Sequence, residues 1–319
     1  MKAILYERFG GPEVLRMADV STRELRKGEL LVRVHAAAIN PVDWKVRNGS
    51  MKFVAGTKFP KRSGLDFSGF VEACGPGVVG LKPGDPVLGI TRPMDASQGT
   101  FAEKCVTRAE NVLRKPDVLT HVDAAAAPIA GLSALQSLRH CKVGAGSRVM
   151  LIGASGGVGT FAIQIAKALG AHVTAVCGPH GVELCYKLGA DLVIDRSRED
   201  PLKSQAIYNA VLDLVPAHSF SACRHLLSSN GAFLSTLPSI DGIWSRAWTS
   251  LFSARRVRML ILKPSAGDLK ELGTMLAAGS VTPSVSRVFP FTEEGVQEMH
   301  RIAEAGHILG KLAVKMRGG

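Results

Sequence analysis

A glycine-rich turn near the middle of the chain has the residue types that bind a nucleotide phosphate. The turn, GASGGVG at 153–159, follows an apolar run and precedes an apolar-rich segment long enough for a helix. Glycines let the backbone approach a pyrophosphate, and the N-terminus of the next helix offers it free N–H groups. We predict a dinucleotide site here, although a tight turn without a ligand is the alternative and Ala154 replaces the first glycine of the GxGxxG fingerprint. The predicted contacts in the turn are Ala154, Ser155, Gly156, Gly157, Val158 and Gly159.

The segment after the next predicted strand indicates which nicotinamide cofactor would fit. Folds that select NAD place an acidic residue at the end of the second strand, where it binds the ribose 2′-hydroxyl. Here the strand predicted at 172–177 ends in Cys177 and continues into Gly178, Pro179 and His180, without a carboxylate. No negative charge in this loop repels a 2′-phosphate, so we predict NADPH rather than NADH, even though a neutral histidine is a poorer phosphate ligand than arginine.

Alternating strands and helices surround the glycine turn and must position it. Such alternation is typical of a parallel, doubly wound sheet with helices on both faces. The predicted strands are 148–152, 172–177, 192–194, 210–214, 231–236 and 257–262, and the predicted helices are 159–169, 181–188 and 219–227.

The first third of the chain has a different pattern, with short strands separated by glycine and proline turns. Strands are predicted at 1–6, 29–37, 69–74 and 86–90, which favours a compact β domain. After residue 263 we predict a helix at 268–278, a strand at 286–291, a helix capped by Thr292 and a last strand at 311–315. These final elements return to the first domain, so we predict domains at 1–122 plus 264–319 and at 123–263.

The composition excludes several classes of function. The chain has 319 residues, 46% hydrophobic and 21% charged, which is typical of a soluble globular protein of about two domains. No apolar run approaches the roughly 18 residues of a membrane span, and no signal region precedes the first strand, so we expect a cytoplasmic protein. The net charge of +12 is spread along the chain, and its densest basic cluster, 255–258, has few aromatic neighbours. We therefore expect no dedicated nucleic-acid function.

The six cysteines are scattered along the chain and form no C-x-x-C pair. We therefore predict free thiols, with neither a structural zinc site nor a redox dithiol.

A series of short motifs then identifies a family. INPVDW lies at 39–44, GLDFSG at 64–69, KPGD at 82–85, GTFAE at 99–103, AGLSA at 130–134, the glycine turn at 153–159, KLGAD at 187–191 and GK at 310–311. This ordered set resembles the medium-chain dehydrogenase/reductase superfamily, in its zinc-independent quinone oxidoreductase branch, which includes alkenal and enone reductases. The resemblance implies an α/β fold in which a Rossmann doubly wound parallel sheet is inserted in a discontinuous, mostly β GroES-like catalytic domain.

The resemblance also bears on metal binding. Zinc-dependent members have a Cys–His pair where this chain has Asn40-Pro41, and Gly-His-Glu where it has Gly64-Leu65-Asp66; they also have a four-cysteine lobe that is missing here. Asparagine, proline and leucine supply neither the thiolate nor the imidazole that a catalytic zinc requires. We therefore predict no metal site.

Further cofactor residues follow from the resemblance. Ser133 is expected near the nicotinamide amide or the pyrophosphate, and Lys311 near the cofactor, with a solvated surface lysine as the alternative. The remaining implied contacts are Val176, Cys177 and Gly178 at the adenosine ribose, His180 at the position of a basic residue, and Leu237 and Pro238 beside the nicotinamide ring.

The candidate catalytic residues follow the predicted strand at 29–37. Asn40 is the first candidate to donate a hydrogen bond to a developing oxyanion, and its alternative role is to stabilise the turn before Pro41. Asp43 is either structural or catalytic, and Trp44 is a wall of the pocket or of the core. None of the three tyrosines lies in this segment, so we expect water to supply the proton.

Together these residues predict an NADPH-dependent, zinc-independent oxidoreductase that transfers hydride to a quinone or to the α,β-unsaturated carbonyl of an enal or enone. Two alternatives stay open: an enoyl-thioester reductase, and a non-catalytic NADPH-binding sensor or RNA-binding protein. Because members of this family commonly form dimers, we also expect a homodimer.

Overall fold

The structure, a computed structural model, describes residues 1–91, 98–236 and 255–316. The strands are β1 (Lys2–Tyr6), β2 (Arg16–Asp19), β3 (Glu29–Ala38), β4 (Lys61–Arg62), β5 (Asp66–Cys74), β6 (Pro86–Ile90), β7 (Lys104–Arg108), β8 (Val112–Arg114), β9 (Arg148–Ile152), β10 (His172–Cys177), β11 (Leu192–Asp195), β12 (Tyr208–Asp213), β13 (Leu227–Ser235), β14 (Arg256–Met259), β15 (Val285–Pro290) and β16 (Lys311–Lys315). The α-helices are α1 (Pro41–Arg47), α2 (Lys52–Ala55), α3 (His121–Ala126), α4 (Pro128–His140), α5 (Gly157–Ala168), α6 (Val182–Lys187), α7 (Phe220–Cys223), α8 (Ala266–Ala277) and α9 (Glu293–Ala305).

The contacts between residues divide the chain into two units. Unit 1 comprises Met1–Ala130, Pro264–Ala278 and Pro283–Gly319, and unit 2 comprises Gly131–Lys263 and Gly279–Thr282. The first segment of unit 1 ends at Ala130, whereas the sequence predicted that it ends at residue 122. The segment is longer than predicted because α3 packs on β3 and β5 of unit 1. The predicted fold class, a doubly wound parallel sheet inserted in a discontinuous β domain, is confirmed.

Unit 1 contains two sheets. The smaller has the order β2-β1-β4, and the larger has the order β15-β16-β3-β5-β6-β8, with β7 also paired to β3. Five alanines, namely Ala36, Ala38, Ala125, Ala126 and Ala313, form a buried cluster where α3 meets this sheet. Their small side chains let the helix lie close to β3 and β16, so the end of β3 and the residues that follow it are firmly placed.

Unit 2 contains a six-stranded sheet in which every pairing is parallel, in the order β11-β10-β9-β12-β13-β14. Numbered along the chain from β9, this is the order 3-2-1-4-5-6 of dinucleotide-binding folds. The strand order reverses between β9 and β12, and ligands of such sheets bind beyond the carboxyl end of the strands at this point. The glycine turn leaves β9 there.

Local sequence signals explain where several helices begin. Thr292 caps α9 as predicted, because its hydroxyl accepts a hydrogen bond from Gly295 N at 3.0 Å. The helical material predicted up to residue 140 is split into α3 and α4, and the second helix begins at Pro128, which lacks an N–H to continue the first. Among the described residues, no helix is both long enough and apolar enough to cross a lipid bilayer.

Candidate functional site

The glycine turn of unit 2 forms an open helix N-terminus at the end of β9. Gly153 N and Ala154 N both donate to Val176 O at 3.0 Å, which ties the turn to β10, and Gly156 is the N-cap of α5. A Cβ at Gly159 would lie 2.4 Å from Ala154 O, so only glycine lets the first turn of α5 pack this closely on the strand end. The first N–H groups of α5 have no partner within the helix, and they are the groups that would hold a pyrophosphate.

The second predicted cofactor segment lies against this turn. Gly178 follows β10 and leads into a 3₁₀ turn, Pro179–Gly181, which contains the exposed His180. The Ser155 side chain occupies the space beside Gly181, where a Cβ would lie 2.5 Å from Ser155 Cβ. The structure therefore brings the turn at Ala154–Gly159 and the segment Cys177–His180 together within unit 2.

Arg196 lies beside the same segment, although no sequence motif marks it. Its backbone N–H donates to Cys177 O at 2.9 Å, and its Nε lies 3.8 Å from the position that a Cβ of Gly178 would take. The side chain is exposed, and the carboxylate of the preceding Asp195 already accepts hydrogen bonds from Ser197. The sheet register explains its position: Cys177 of β10 pairs with Asp195 of β11, so the residue after Asp195 emerges next to Gly178.

The other predicted cofactor residues lie in different places. Ser133 is buried on α4 in unit 2, and Lys311 is in unit 1. Leu237 and Pro238 lie outside the described residues.

The candidate catalytic residues of unit 1 are held by a buried polar cluster around Asn40. Asn40 precedes α1, and its backbone N–H donates to Asp43 Oδ2 at 2.7 Å. Its side chain spans two charged groups: Nδ2 donates to Asp66 Oδ2 at 2.9 Å, and Oδ1 accepts from Lys311 Nζ at 2.7 Å. Because ammonium can only donate and carboxylate can only accept, these partners fix the orientation of the amide and leave one Nδ2 hydrogen without a partner among the residues that the structure describes.

Lys311 is a buried member of this cluster rather than a surface lysine, with 4% of its area exposed. Its Nζ also donates to Ile39 O at 2.8 Å and lies 3.5 Å from Asp66 Oδ2. The sheet explains the position, because Ala313 of β16 pairs antiparallel with Ala38 of β3, and continuing this register places Lys311 opposite Asn40. Gly310 permits the approach: its φ is +66°, and a Cβ there would lie 2.1 Å from Ser284 O.

Asp66 connects the cluster to the start of α4. Asp66 is fully buried at the beginning of β5, and its Oδ1 accepts from Ile129 N at 3.0 Å. Burial raises the pKa of Asp66, while the Lys311 ammonium opposes the rise. Burial likewise lowers the pKa of Lys311, which the Asp66 carboxylate opposes. Each charge therefore depends on the other to remain ionised in the interior.

Asp43 is a further buried titratable group of the cluster. Burial raises its pKa to about 7, even though hydrogen bonds from the backbone of Asn40 and Gly64 act in the opposite direction. A carboxyl group with such a pKa can hold or release a proton at neutral pH. Trp44, the next residue of α1, is half-buried, and Lys45 Nζ lies 5.4 Å from the centre of its indole ring.

Tyr6 reaches the same region from a distant part of the sequence. A cavity of about 30 Å³ is lined by Tyr6 of β1, by Asp43, and by residues that follow β4, among them Ser63, Gly64 and Leu65. The pairing of Tyr6 with Lys61 in the small sheet brings β1 to this position. Long-range strand pairing of this kind has no local sequence signal, so the sequence alone does not place Tyr6 near the segment that follows β3.

These donors do not suit a zinc ion. Within residues 1–91, 98–236 and 255–316, no cluster of three or more His, Cys, Asp or Glu side chains could hold a metal. In the Asn40 cluster, the Lys311 ammonium already lies among the oxygen atoms that a cation would need, and a second cation there would be repelled.

Comparisons with known proteins show which family the chain belongs to. Residues 26–117 match the family model of the alcohol dehydrogenase GroES-like domain, and residues 188–314 match that of zinc-binding dehydrogenases. The mouse protein named NAD(P)H oxidoreductase RTN4IP1, mitochondrial, is 35% identical over 99% of this chain and 89% of its own length. The chain belongs to the medium-chain dehydrogenase/reductase superfamily, in its quinone oxidoreductase branch.

Solved structures of this superfamily superpose on the whole chain. The quinone oxidoreductase of Coxiella burnetii is 33% identical, covers 99% of both chains and gives a TM-score of 0.89. The mycobacterial protein Rv1454c, solved as a complex with NADPH, is 26% identical, covers 99% of this chain and all of its own, and gives a TM-score of 0.83. As a medium-chain dehydrogenase/reductase, the chain is an oxidoreductase.

Proposed function

We propose that this oxidoreductase reduces a quinone or an α,β-unsaturated carbonyl with NADPH, without zinc. The observation that carries the proposal is the Asn40 amide, which is held between Lys311 and Asp66 with one N–H uncommitted. A neutral donor oriented in this way can stabilise the oxyanion that forms when a carbonyl conjugate accepts hydride. The family relationship and the NADPH bound by Rv1454c support the choice of cofactor.

Residues of unit 2 fit NADPH. The first-turn amides of α5 would hold the pyrophosphate, and no carboxylate stands at residues 178–180 to repel a 2′-phosphate. Arg196 and His180 both flank Gly178 from exposed positions, and arginine supplies the bidentate phosphate ligand that the loop itself lacks. We therefore propose that Arg196 selects NADPH over NADH.

The bound cofactor would supply hydride, and the residues of unit 1 would stabilise the negative charge that develops on the acceptor oxygen. Lys311 donates to the amide oxygen of Asn40 and draws electron density from it, which strengthens the N–H on the other side. Asp66 accepts the second N–H and prevents the amide from rotating. Asn40 would thus present a donor, rather than a lone pair, to the developing oxyanion.

The test is acceptor-dependent oxidation of NADPH by the purified chain. A quinone, an alkenal and a crotonyl thioester should be supplied in parallel, with the zinc content measured and with a chelator added to a second sample. We expect turnover with the quinone or the alkenal that the chelator leaves unchanged. Tight NADPH binding without turnover on any acceptor would favour the non-catalytic sensor or RNA-binding role, and activity lost with the chelator would refute zinc independence.

An enoyl-thioester reductase is the second candidate. The trans-enoyl reductase pgmF of Aspergillus terreus is 33% identical over 92% of this chain and 88% of its own length. Reduction of an enoyl thioester also passes through an enolate, so the Asn40 cluster would stabilise its oxyanion in the same way. Preferential turnover of the crotonyl thioester would establish this function instead.

The assembly and compartment are further proposals. We propose a homodimer, which light scattering of the purified chain would test. We also propose a cytoplasmic location, whereas the mouse relative is named as mitochondrial; imaging of the tagged protein in its own cell would decide between them.

A further inference from the structure

Gln164 of α5 has a side chain whose whole hydrogen-bonding capacity is used. The residue is buried, with 8% of its area exposed. Its Nε2 donates to Thr160 O and to Thr282 O, both at 2.9 Å, and its Oε1 accepts from Thr282 N at 2.8 Å and from Thr282 Oγ1 at 3.1 Å. A glutamine amide has two donor hydrogens and two acceptor lone pairs, so all four are filled here. The side chain therefore holds both backbone groups of Thr282 against α5.

On α5, this amide is connected to the glycine turn that would hold the pyrophosphate. Thr160, to which Gln164 donates, is fully buried; its backbone N–H donates to Gly156 O at 2.9 Å, and its hydroxyl donates to Gly157 O at 3.0 Å. Gly156 is the N-cap of α5, and Gly157 is the first residue of the helix. A single residue thus separates Gln164 from the turn along this chain of hydrogen bonds.

On the other side, Thr282 is the residue at which the chain leaves unit 2. Pro283 follows it and begins the last segment of unit 1, and Ser284 is the next residue. The ring of Pro283 fixes its own φ and restricts the residue before it to an extended backbone. The connection from Thr282 to Ser284 is therefore short and stiff, so a displacement of Thr282 is passed on to Ser284.

Ser284 holds the backbone of Lys311. Its carbonyl oxygen accepts from Lys311 N at 2.8 Å, and the Ser286 hydroxyl donates to Lys311 O at 3.3 Å. The ammonium of Lys311 then donates to Asn40 Oδ1. Because the lysine side chain starts from a backbone that Ser284 fixes, the position of Ser284 affects where the ammonium meets the amide oxygen.

We propose that Gln164 is a positioning residue, which sets the orientation of the Asn40 amide from the glycine turn. It acts through the connection that runs from Thr282 to Lys311. The inference rests on the proposed role of Asn40 as the donor to the oxyanion. Networks of hydrogen bonds and rigid connections can transmit a change at one site to another. Occupation of the glycine turn by a nucleotide should therefore change the environment of Asn40, and removal of the Gln164 amide should reduce that change.

A second glutamine supplies a matched control. Gln136 of α4 holds the earlier point at which the chain leaves unit 2: its Nε2 donates to Lys263 O at 2.7 Å, and its Oε1 accepts from Lys263 N at 3.2 Å. Lys263 is likewise followed by a proline, Pro264. The chain after Pro264 continues into α8, which packs on β8, whereas the chain after Thr282 continues into β15 beside Lys311. Gln136→Met removes the same kind of contact as Gln164→Met and should leave Asn40 undisturbed.

The first test uses binding alone. A chain labelled with ¹⁵N-asparagine reports the side-chain signals of Asn40, and the probe is 2′-phospho-ADP-ribose, which has the pyrophosphate but no nicotinamide ring to touch the amide directly. In the wild type and in Gln136→Met the probe should shift the Asn40 signals. In Gln164→Met its Kd should stay within about threefold, because the first-turn amides of α5 remain, while the shift at saturation should fall to about half or less.

Two variants guard against a failure to fold. In Gln164→Met, the backbone groups that lose their partner belong to Thr282, which is exposed and can bond to water. Thr282→Val is milder, because it removes only the hydroxyl that donates to Gln164 Oε1. It should reduce the shift of the Asn40 signals in the same direction by a smaller factor.

Turnover gives a second readout. Misplacement of a reacting group by a distant substitution can cost about 100-fold, so Gln164→Met should lower kcat about 10- to 100-fold and leave KM for NADPH within about threefold of wild type. In an Asn40→Ala background, Gln164→Met should cause almost no further loss of kcat, because the group that it positions is gone. A purely structural role would instead lower kcat by the same factor in both backgrounds.

Several outcomes overturn the inference. They are Asn40 signals that do not respond to bound 2′-phospho-ADP-ribose, or that respond equally in the wild type, Gln164→Met and Thr282→Val; equal effects of Gln164→Met and Gln136→Met; and additive losses of kcat with Asn40→Ala. Failure of the wild type to bind the probe removes the proposed cofactor site and the inference together. Absence of turnover with every acceptor removes the proposed function alone, and the response of the Asn40 signals then decides whether the connection exists.

Discussion

Replacing Lys311 by methionine tests how the Asn40 amide is held. The substitution keeps the aliphatic stem but removes the ammonium, which donates at 2.7 Å to Asn40 Oδ1 and at 2.8 Å to Ile39 O. Asp66, fully buried, loses its counter-charge. Removing one partner of a buried ion pair costs about 3–5 kcal/mol, so the free energy of unfolding should fall by that amount.

The catalytic effect is separable from this loss of stability. Without Lys311 the amide is free to turn, and its oxygen can face the developing oxyanion. Loss of one oxyanion donor lowers kcat by about 10²- to 10³-fold, or roughly 2.7–4 kcal/mol. Since NADPH is proposed to bind residues of unit 2, its KM should change little.

A spectroscopic assay reports on the amide without any turnover. The chain contains five asparagines, so selective ¹⁵N-asparagine labelling gives only five pairs of side-chain signals, and Asn40→Asp identifies the pair from Asn40. In the wild type this pair should exchange slowly with solvent, and in Lys311→Met it should shift and exchange faster. The double variant Lys311→Met with Asp66→Asn reduces the risk of misfolding, because the buried charge of Asp66 is removed together with its partner.

Lys61→Met serves as the control, because Lys61 is 2% exposed in the same unit, but within the described part of the chain its Nζ donates only to Ala55 O, at 2.9 Å. It should leave kcat and the Asn40 signals unchanged. If Lys311→Met and the double variant both keep the wild-type kcat and Asn40 signals, the amide is not oriented by Lys311 and this account of the site fails.

Three further predictions follow from other parts of the chain. Arg196→Ser should raise KM for NADPH about 10- to 100-fold, in line with the loss of a charge-assisted phosphate contact, and leave KM for NADH nearly constant; equal changes for both cofactors would exclude the 2′-phosphate role. Gly159→Ala forces a Cβ to within 2.4 Å of Ala154 O, so stability should fall by about 1–3 kcal/mol and nucleotide binding, measured by calorimetry, should weaken at least tenfold; a wild-type affinity would show that the turn does not hold the cofactor. Between about pH 4 and pH 7 folded Asp43 keeps a proton that the unfolded chain has released, so the free energy of unfolding should decrease as pH rises through this window, by roughly 4 kcal/mol from this group, and denaturant titrations of Asp43→Asn should lack that decrease.

The regular elements could be predicted because their signals are local. β6, β9, β10 and β16 have the predicted bounds, since each is an apolar run with a glycine, a proline or a charged residue at or next to one of its ends. The residues of the candidate site differ in how far the sequence alone reveals them. Asn40, the glycine turn and Lys311 carry motifs and are visible in the sequence. The contact of Lys311 with Asn40 and the positions of Arg196 and Tyr6 instead follow from the registers of β16 with β3, β11 with β10, and β1 with β4. Register depends on pairing across the sheet, so a single sequence does not reveal it.

The buried ammonium of Lys311 limits which acceptors suit this site. A metal would bind the carbonyl oxygen directly, whereas in the proposed mechanism Lys311 would act on it only through the Asn40 amide, and Asp66 would neutralise part of the Lys311 charge. The resulting polarisation is that of a good hydrogen bond, worth a few kcal/mol, and not that of a Lewis acid. An unactivated ketone would gain too little from such a donor, whereas a quinone or a conjugated carbonyl delocalises the incoming electron pair itself. We therefore expect turnover to rise with the electron affinity of the acceptor across a series of substituted quinones, and a saturated ketone reduced at a comparable rate would contradict this account.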